Sequence, residues 1–235
     1  MVKSGKKYQD SIKLVDRSRA YPLDEAVEVA KKACYARFDE TLELHLRMNL
    51  DPRNADQQVR GSTTLPHGLG KKIRVLVFAQ GEGVKIAEDA GADYVGGDDM
   101  AKRIEEGWLD FDVTVATPDM MGKIGKLGKI LGRRGLMPNP KLGTVVPAND
   151  LPRIIKEVSQ GRAEYRLDRN GNIHMSLGKI SFETYKLVEN LSTALEAVIK
   201  AKPSGAKGQY IKSATIATSM GPGVKLDLRS VASSS

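Results

Sequence analysis

The amino-acid sequence predicts an α/β (α+β) protein of two domains. An antiparallel-sheet α+β domain is assembled from both ends of the chain, and an α/β domain is inserted between them. Three observations carry this. A period-two run over Thr41–Leu50 and an Asn-Gly turn between alternating runs place antiparallel strands near both ends. The middle instead alternates short apolar runs with helix-like segments, which is the pattern of a parallel sheet. Charge divides the chain in the same places: residues 1–66 and 158–235 carry net charges of +2 and +5, and residues 67–157 only +1.

Taken in order, Leu23–Ala33 reads as an amphipathic helix. Leu42, Leu44, Leu46, Met48 and Leu50 then alternate with Thr41, Glu43, His45, Arg47 and Asn49, as in a strand buried on one face. The middle offers strands at Ile73–Ala79, Tyr94–Val95 and Phe111–Ala116, with helices near Val84–Ala90 and Asp98–Gly107. Ala163–Asp168 and Asn172–Gly178 flank Arg169-Asn170-Gly171, a hairpin signal because Asn and Gly tolerate positive φ. From Glu183 to Ala201, Leu187, Leu191, Leu195 and Val198 fall on one helical stripe. A Gly/Pro-rich loop, 202–208, precedes a β-like run from Gln209 to Ser219. The expected domains are therefore 1–66 with 158–235, and 67–157. They are joined near Pro66–Gly70 and Ser159–Gly161, where glycine-containing crossings would permit hinge motion.

The composition excludes several classes. With 235 residues, 40% hydrophobic and 28% charged, the chain is long enough to bury a core and is not disordered. No apolar run reaches the ~18–20 residues of a membrane span, and the basic N-terminus lacks the apolar stretch of a secretory signal. A cytoplasmic protein that does not engage a membrane is expected. One cysteine, Cys34, excludes an intramolecular disulfide and a cysteine metal cage. A net charge of +8 points toward polyanionic partners.

Chemistry-bearing constellations are few. His45, His67 and His174 are too far apart in sequence to show a ligand pairing, so no metal site is expected. Gly81-Glu82-Gly83 opens a dinucleotide-type motif, but Ile86 occupies its third glycine position. In Gly122–Lys129 no Gly-Lys is followed by Ser or Thr, so no hydroxyl is available for magnesium. Catalytic residues and a cofactor are therefore not expected. Lys123, Lys126, Lys129 and Arg133 nevertheless recur beside Gly122, Gly125, Gly128 and Gly132. On a helix they would form a cationic ridge beside a glycine groove suited to phosphates. In the last strand Ser213, Thr215 and Ser219 share a face, and Met220-Gly221-Pro222-Gly223 ends it with open backbone N–H groups. Arg37-Phe38 adds a cation and an aromatic just before the long strand.

Several of these words occur together in one known family. Phe38-Asp39-Glu40-Thr41, Asn49-Leu50-Asp51-Pro52-Arg53, Val59-Arg60-Gly61 and Leu65–Lys71 are followed by Ala90–Gly97, Leu131–Lys141 and Ser219–Gly223. In this order they resemble the bacterial ribosomal protein L-one family over roughly residues 1–228, leaving only Arg229–Ser235 outside. The resemblance implies a discontinuous RNA-binding domain with an inserted Rossmann-like domain. It also implies binding to large-subunit rRNA at the mobile side stalk near the tRNA exit site, help in moving or releasing deacylated tRNA, and translational repression through the protein's own operon mRNA. The free protein is expected to be a monomer. By resemblance, the RNA-contacting positions fall on Arg37, Phe38, Thr41, Ser213, Thr218, Ser219, Met220, Gly221 and Pro222. The family usually has Thr where this chain has Ser219, so a hydroxyl donor is kept and a methyl group is lost. Two other readings use the same residues: a stand-alone RNA- or DNA-binding regulator, and a nucleotide-dependent enzyme built on the central domain.

Overall fold

Along the strand Thr41–Met48 the apolar side chains are buried and the polar ones face outward, because successive side chains of a strand point to opposite faces. The computed structural model describes residues 5–206 and 208–228; the tail 229–235 and loop residue Lys207 lie outside the described residues. Its elements in order are α1 (Lys6–Lys13), α2 (Leu23–Lys32), β1 (Thr41–Met48), β2 (Arg60–Thr64), β3 (Val75–Phe78), α3 (Glu82–Asp89), β4 (Tyr94–Gly96), α4 (Asp98–Glu105) and β5 (Val113–Ala116). There follow α5 (Met121–Ile124), α6 (Gly128–Leu131), α7 (Leu151–Ser159), β6 (Arg162–Arg166), β7 (Asn172–Lys179), α8 (Thr184–Lys200), β8 (Ile211–Thr218) and β9 (Val224–Lys225). The chain divides into two compact units, Met1–Gly70 with Ala163–Ser235, and Lys71–Arg162. A break at 157/158 would cut α7, whose buried Val158 belongs to the same apolar stripe as Leu151, Ile154 and Ile155. The division falls beyond that helix instead.

In the first unit, β1 is an inner strand, between β7 and β8, of an antiparallel sheet ordered β7-β1-β8-β9. Its inward Leu42, Leu44 and Leu46 meet Ala26, Val27 and Ala30 of α2 and Leu187, Leu191, Leu195 and Val198 of α8 in one core. Each fully buried Leu or Val contributes roughly 1.5–3 kcal/mol, so this shared face holds helices and sheet together. Asn190, completely buried on α8, donates to the carbonyls of Gly68 (3.1 Å) and Leu177 (2.7 Å) and accepts the His67 N–H (3.1 Å). One amide thereby fastens the end of the first chain segment to β7.

The Asn-Gly signal marks a reversal but not a hairpin ladder. β6 pairs with β2 in a separate two-stranded ribbon, while the bridge Leu167–Ile173 and the Asp168 N–H donating to the Asn172 carbonyl (2.8 Å) join its extension to the start of β7. The Asp168 carboxylate accepts the N–H groups of Asn170 (2.8 Å) and Asn172 (2.7 Å), Gly171 takes φ +78°, and Asn170 keeps an ordinary φ. This is a three-residue turn with its glycine in the left-handed region, not a two-residue turn with two positive φ values.

In the second unit, β3 lies between β4 and β5 and pairs with both in parallel. Leu76 and Phe78 point toward Met100 and Ile104 of α4 and toward Ile124, Leu127 and Leu131. The glycines of the dinucleotide-like word have structural work. Gly81 takes φ +60° ahead of α3, and a Cβ on Gly83 would press to 3.2 Å from that of Ala79. The Gly/Lys segment is not one helix: α5 and α6 alternate with 3₁₀ turns at Gly125–Leu127 and Gly132–Arg134.

Candidate nucleic-acid interface

Antiparallel pairing sets the start of β1 beside the ends of both its neighbours. Thr41 is opposite Lys179 of β7, and Leu42 is opposite Thr218 of β8. Glu40 and Thr41 therefore meet Ser219 and Met220, the two residues after β8, at one rim of the sheet. Ser219 N–H donates to the Thr41 carbonyl and the Thr41 N–H donates to Ser219 Oγ, both at 3.1 Å. Lys179 Nζ donates to Thr41 Oγ1 (2.9 Å) and to the Asp39 carbonyl (3.2 Å), placing a cation at the same edge.

Glu40 organises the rim from behind. Its side chain is wholly buried, yet it remains a carboxylate. One oxygen accepts the Ala36 N–H (2.9 Å) and the Cys34 S–H (3.0 Å), and the other accepts the Met220 N–H (3.0 Å). Burial alone would push its pKa up. Hydrogen bonds from Cys34, Thr218, Met220 and Ala36 outweigh burial and hold it at about 2. The Cys34 thiol is driven the other way, to about 11, by burial and by the neighbouring Glu40 charge, so it stays a proton donor. Tyr35 Oη closes the loop by donating to the Met220 carbonyl at 2.9 Å. The 34–38 loop and the 219–221 loop are thus two sides of one hydrogen-bonded structure, although more than 180 residues separate some of the partners.

This arrangement sorts the expected residues. Arg37, Phe38, Ser219 and Met220 are exposed, Phe38 by 57% and Met220 by 51%, large values for apolar side chains. Thr41 and Gly221 sit half-buried between them. Thr218 and Pro222 are buried, so they face inward. Thr218 Oγ1 accepts the Gly221 N–H (3.1 Å) and supports Glu40. A Cβ on Gly221 would overlap that hydroxyl, so this glycine is required by close approach. Ser213 is exposed but paired opposite Arg47, six residues along β8 from Ser219 and roughly 20 Å away at ~3.3 Å per residue. It belongs to the outer face of the sheet, where Ser176, Glu43 and Ala217, then His174, His45 and Thr215, then Asn172, Arg47 and Ser213 form rows. Glu40, Tyr35 and Lys179 are participants that the sequence did not mark as site residues, since their partners lie far along the chain.

In the second unit, Lys126, Lys129 and Arg133 are exposed, while Lys123 pairs with Asp98 at 2.7 Å. A Cβ added to Gly122, Gly125, Gly128 or Gly132 would meet nothing within 4 Å, so no packing contact requires these glycines. Ile124, Leu127 and Leu131 anchor the segment from the other side. Among the described residues no helix is long and apolar enough to cross a membrane, and no group of three or more His, Cys, Asp or Glu side chains is placed to hold a metal ion.

The N–H of Gly221, expected to be open, is instead spent on Thr218, as those of Ser219 and Met220 are on Thr41 and Glu40. A rim of hydroxyls, cations and two exposed apolar side chains suits a shallow polyanionic surface better than a small substrate. Comparison with known proteins agrees. A model described as the Ribosomal protein L1p/L10e family matches residues 30–222. Two proteins of Dehalococcoides mccartyi strains, each named "Large ribosomal subunit protein uL1", are 63% identical over 231 residues, covering 98% of this chain and 98% of theirs. A protein of the same name from Thermomicrobium roseum is 56% identical over 229 residues, covering 97% of this chain and 95% of its own. A match over most of the chain and relatives aligned nearly end to end leave one conclusion: the chain belongs to the ribosomal protein L1p/L10e family.

Proposed function

We propose that this chain is a structural, non-enzymatic constituent of the large ribosomal subunit that grips large-subunit rRNA with the rim at Arg37–Thr41 and Ser219–Gly221. The family and the names of its relatives support the ribosomal assignment. The observation that carries the binding mode is the rim itself, where Ser219, Met220 and Gly221 stand beside Arg37 and Phe38 on a support locked by Glu40. An A-form RNA helix offers 2′-hydroxyls and phosphates across a shallow minor groove. Small hydroxyl residues reach that groove, Met220 and Phe38 lie against sugar or base faces, and Arg37 and Lys179 face phosphates. Thr218 and Pro222 act by shaping the loop, and Ser213 reaches only RNA extending along the sheet. Lys126, Lys129 and Arg133, with Lys123, provide secondary phosphate contacts. In the same reading the protein is a monomer when free, works at the mobile side stalk near the tRNA exit site and assists movement of deacylated tRNA. It also represses translation by binding its own operon mRNA.

The test is binding of Ser219→Val and Met220→Asp variants to a large-subunit rRNA fragment, with circular dichroism as a check on the fold. Both variants are expected to bind at least tenfold more weakly. Unchanged affinity in both, with the fold intact, would refute the binding mode.

A further inference from the structure

His45 and His174 are remote in sequence but occupy directly opposed positions on β1 and β7, on the outer face of the sheet. Their Nδ1 atoms stand 2.8 Å apart, with the rings inclined at 64°. The opposite nitrogens face carboxylates: His45 Nε2 lies 3.8 Å from Glu43, and His174 Nε2 lies 3.5 Å from Asp168. Asp168 is held in place by the Asn170 and Asn172 N–H groups. A carboxylate beside Nε2 favours a proton on that nitrogen, which leaves Nδ1 with a free lone pair. With one ring in the other tautomer this contact is a neutral N–H···N hydrogen bond; with both protons on Nε2, two Nδ1 lone pairs are left 2.8 Å apart, close enough for one cation to accept both. That cation can be a proton shared between the rings or a metal ion held by both.

Geometry selects the ion. With metal–nitrogen bonds of about 2.0 Å, two donors at a right angle are about 2.8 Å apart, whereas tetrahedral donors need about 3.3 Å. The observed separation therefore matches neighbouring corners of a tetragonal site, the preference of Cu2+ and Ni2+. We propose that His45 and His174 form a two-imidazole site for a divalent transition-metal ion of this preference, with Glu43 and Asp168 orienting the rings and water completing the shell. Both side chains are partly open to solvent, 32% for His45 and 53% for His174, which leaves room for those waters. The site stands independently of the RNA reading, since none of its four residues belongs to the rim.

The test titrates Cu2+ and Ni2+, with Zn2+ for comparison, into the full chain and its His45→Asn, His174→Asn and double variants. Heat of binding and the electron paramagnetic resonance of the copper form are measured. Wild type is expected to bind one Cu2+ with coupling to two nitrogens, Zn2+ more weakly, each single variant at least tenfold more weakly, and the double variant not at this site. All variants should melt like wild type without metal, because the residues face solvent. Absence of saturable binding would overturn the proposal and leave a pair that only shares a proton. Undiminished binding by the double variant would also overturn it, by placing the ion elsewhere.

Discussion

Replacing Glu40 with Gln keeps the shape of the buried side chain and removes one acceptor. In the native protein its two oxygens serve separate donors, Ala36 N–H and Cys34 S–H on one side and Met220 N–H on the other. An amide has a single acceptor oxygen, so its NH2 must face one of these donors. The less damaging orientation gives up Met220: a hydrogen bond to a charged group, worth about 1.5–3 kcal/mol, is lost and a buried N–H is left unpaired. The titration of Glu40 supplies a second route. Its pKa is held at about 2 against 4.5, and at 1.36 kcal/mol per unit this corresponds to roughly 3 kcal/mol of stability. Because the folded-state pKa is depressed, that contribution is complete above pH ~4.5 and is lost as pH falls toward ~2. For a unit of this size the melting midpoint of Glu40→Gln should drop by roughly 10 °C near neutral pH. The gap between variant and wild type should close as the solution is acidified through that window. Affinity for the rRNA fragment, measured well below the melt, should fall about tenfold or more, because RNA must then re-order the Ser219–Gly221 loop at a cost exceeding ~1.4 kcal/mol. A variant that melts within about 2 °C of wild type and binds equally well would refute the claim that this carboxylate holds the rim together.

Other substitutions test neighbouring parts of the argument. Gly221→Ala forces a methyl onto the Thr218 hydroxyl and should cost about 1–3 kcal/mol together with rRNA affinity. Gly122→Ala, where a Cβ meets open space, should be neutral or stabilising by about 0.5–1 kcal/mol, and parallel thermal melts compare the two. Asn190→Ala strands the Gly68 and Leu177 carbonyls and the His67 N–H, so denaturant unfolding should show a loss of about 2–4 kcal/mol. Arg37→Gln should weaken rRNA binding and reduce the slope of log affinity against log salt by about 0.7–0.9, one phosphate's worth. An identical slope would place Arg37 away from phosphate.

What the sequence disclosed and what it concealed follow a physical division. Periodicity is local, so the strand over Thr41–Met48, the α8 stripe and the parallel β3–β5 run could be read directly. Pairing is not local. Nothing in Ala163–Asp168 says that β6 will join β2 rather than fold back on β7. The rim shows the same limit. Arg37, Phe38, Ser219 and Met220 carry chemistry that can be recognised in isolation, whereas Glu40 looks like any surface acid until β8 arrives to supply Met220. Thr218 and Ser219 are both hydroxyl residues in one run; alternation puts them on opposite faces, but only the folded sheet shows that Thr218 is the one turned inward. The cross-strand meeting of His45 and His174 was invisible for the same reason.

The interrupted build of the first unit has a consequence for synthesis. β1 emerges early from the translating ribosome, yet its partners, residues 172–179 and 211–218, are among the last to be made. The inserted unit, contiguous from Lys71 to Arg162, has all its parts beforehand and is free to mature first. The central strand must wait with both edges unsatisfied, a state open to chaperones or misassociation. In the proposed binding mode, a nascent chain halted between Arg60 and Ser219 would carry every base of the amino-terminal segment and still lack the completed rim. Recognition is thereby reserved for chains that are all but finished.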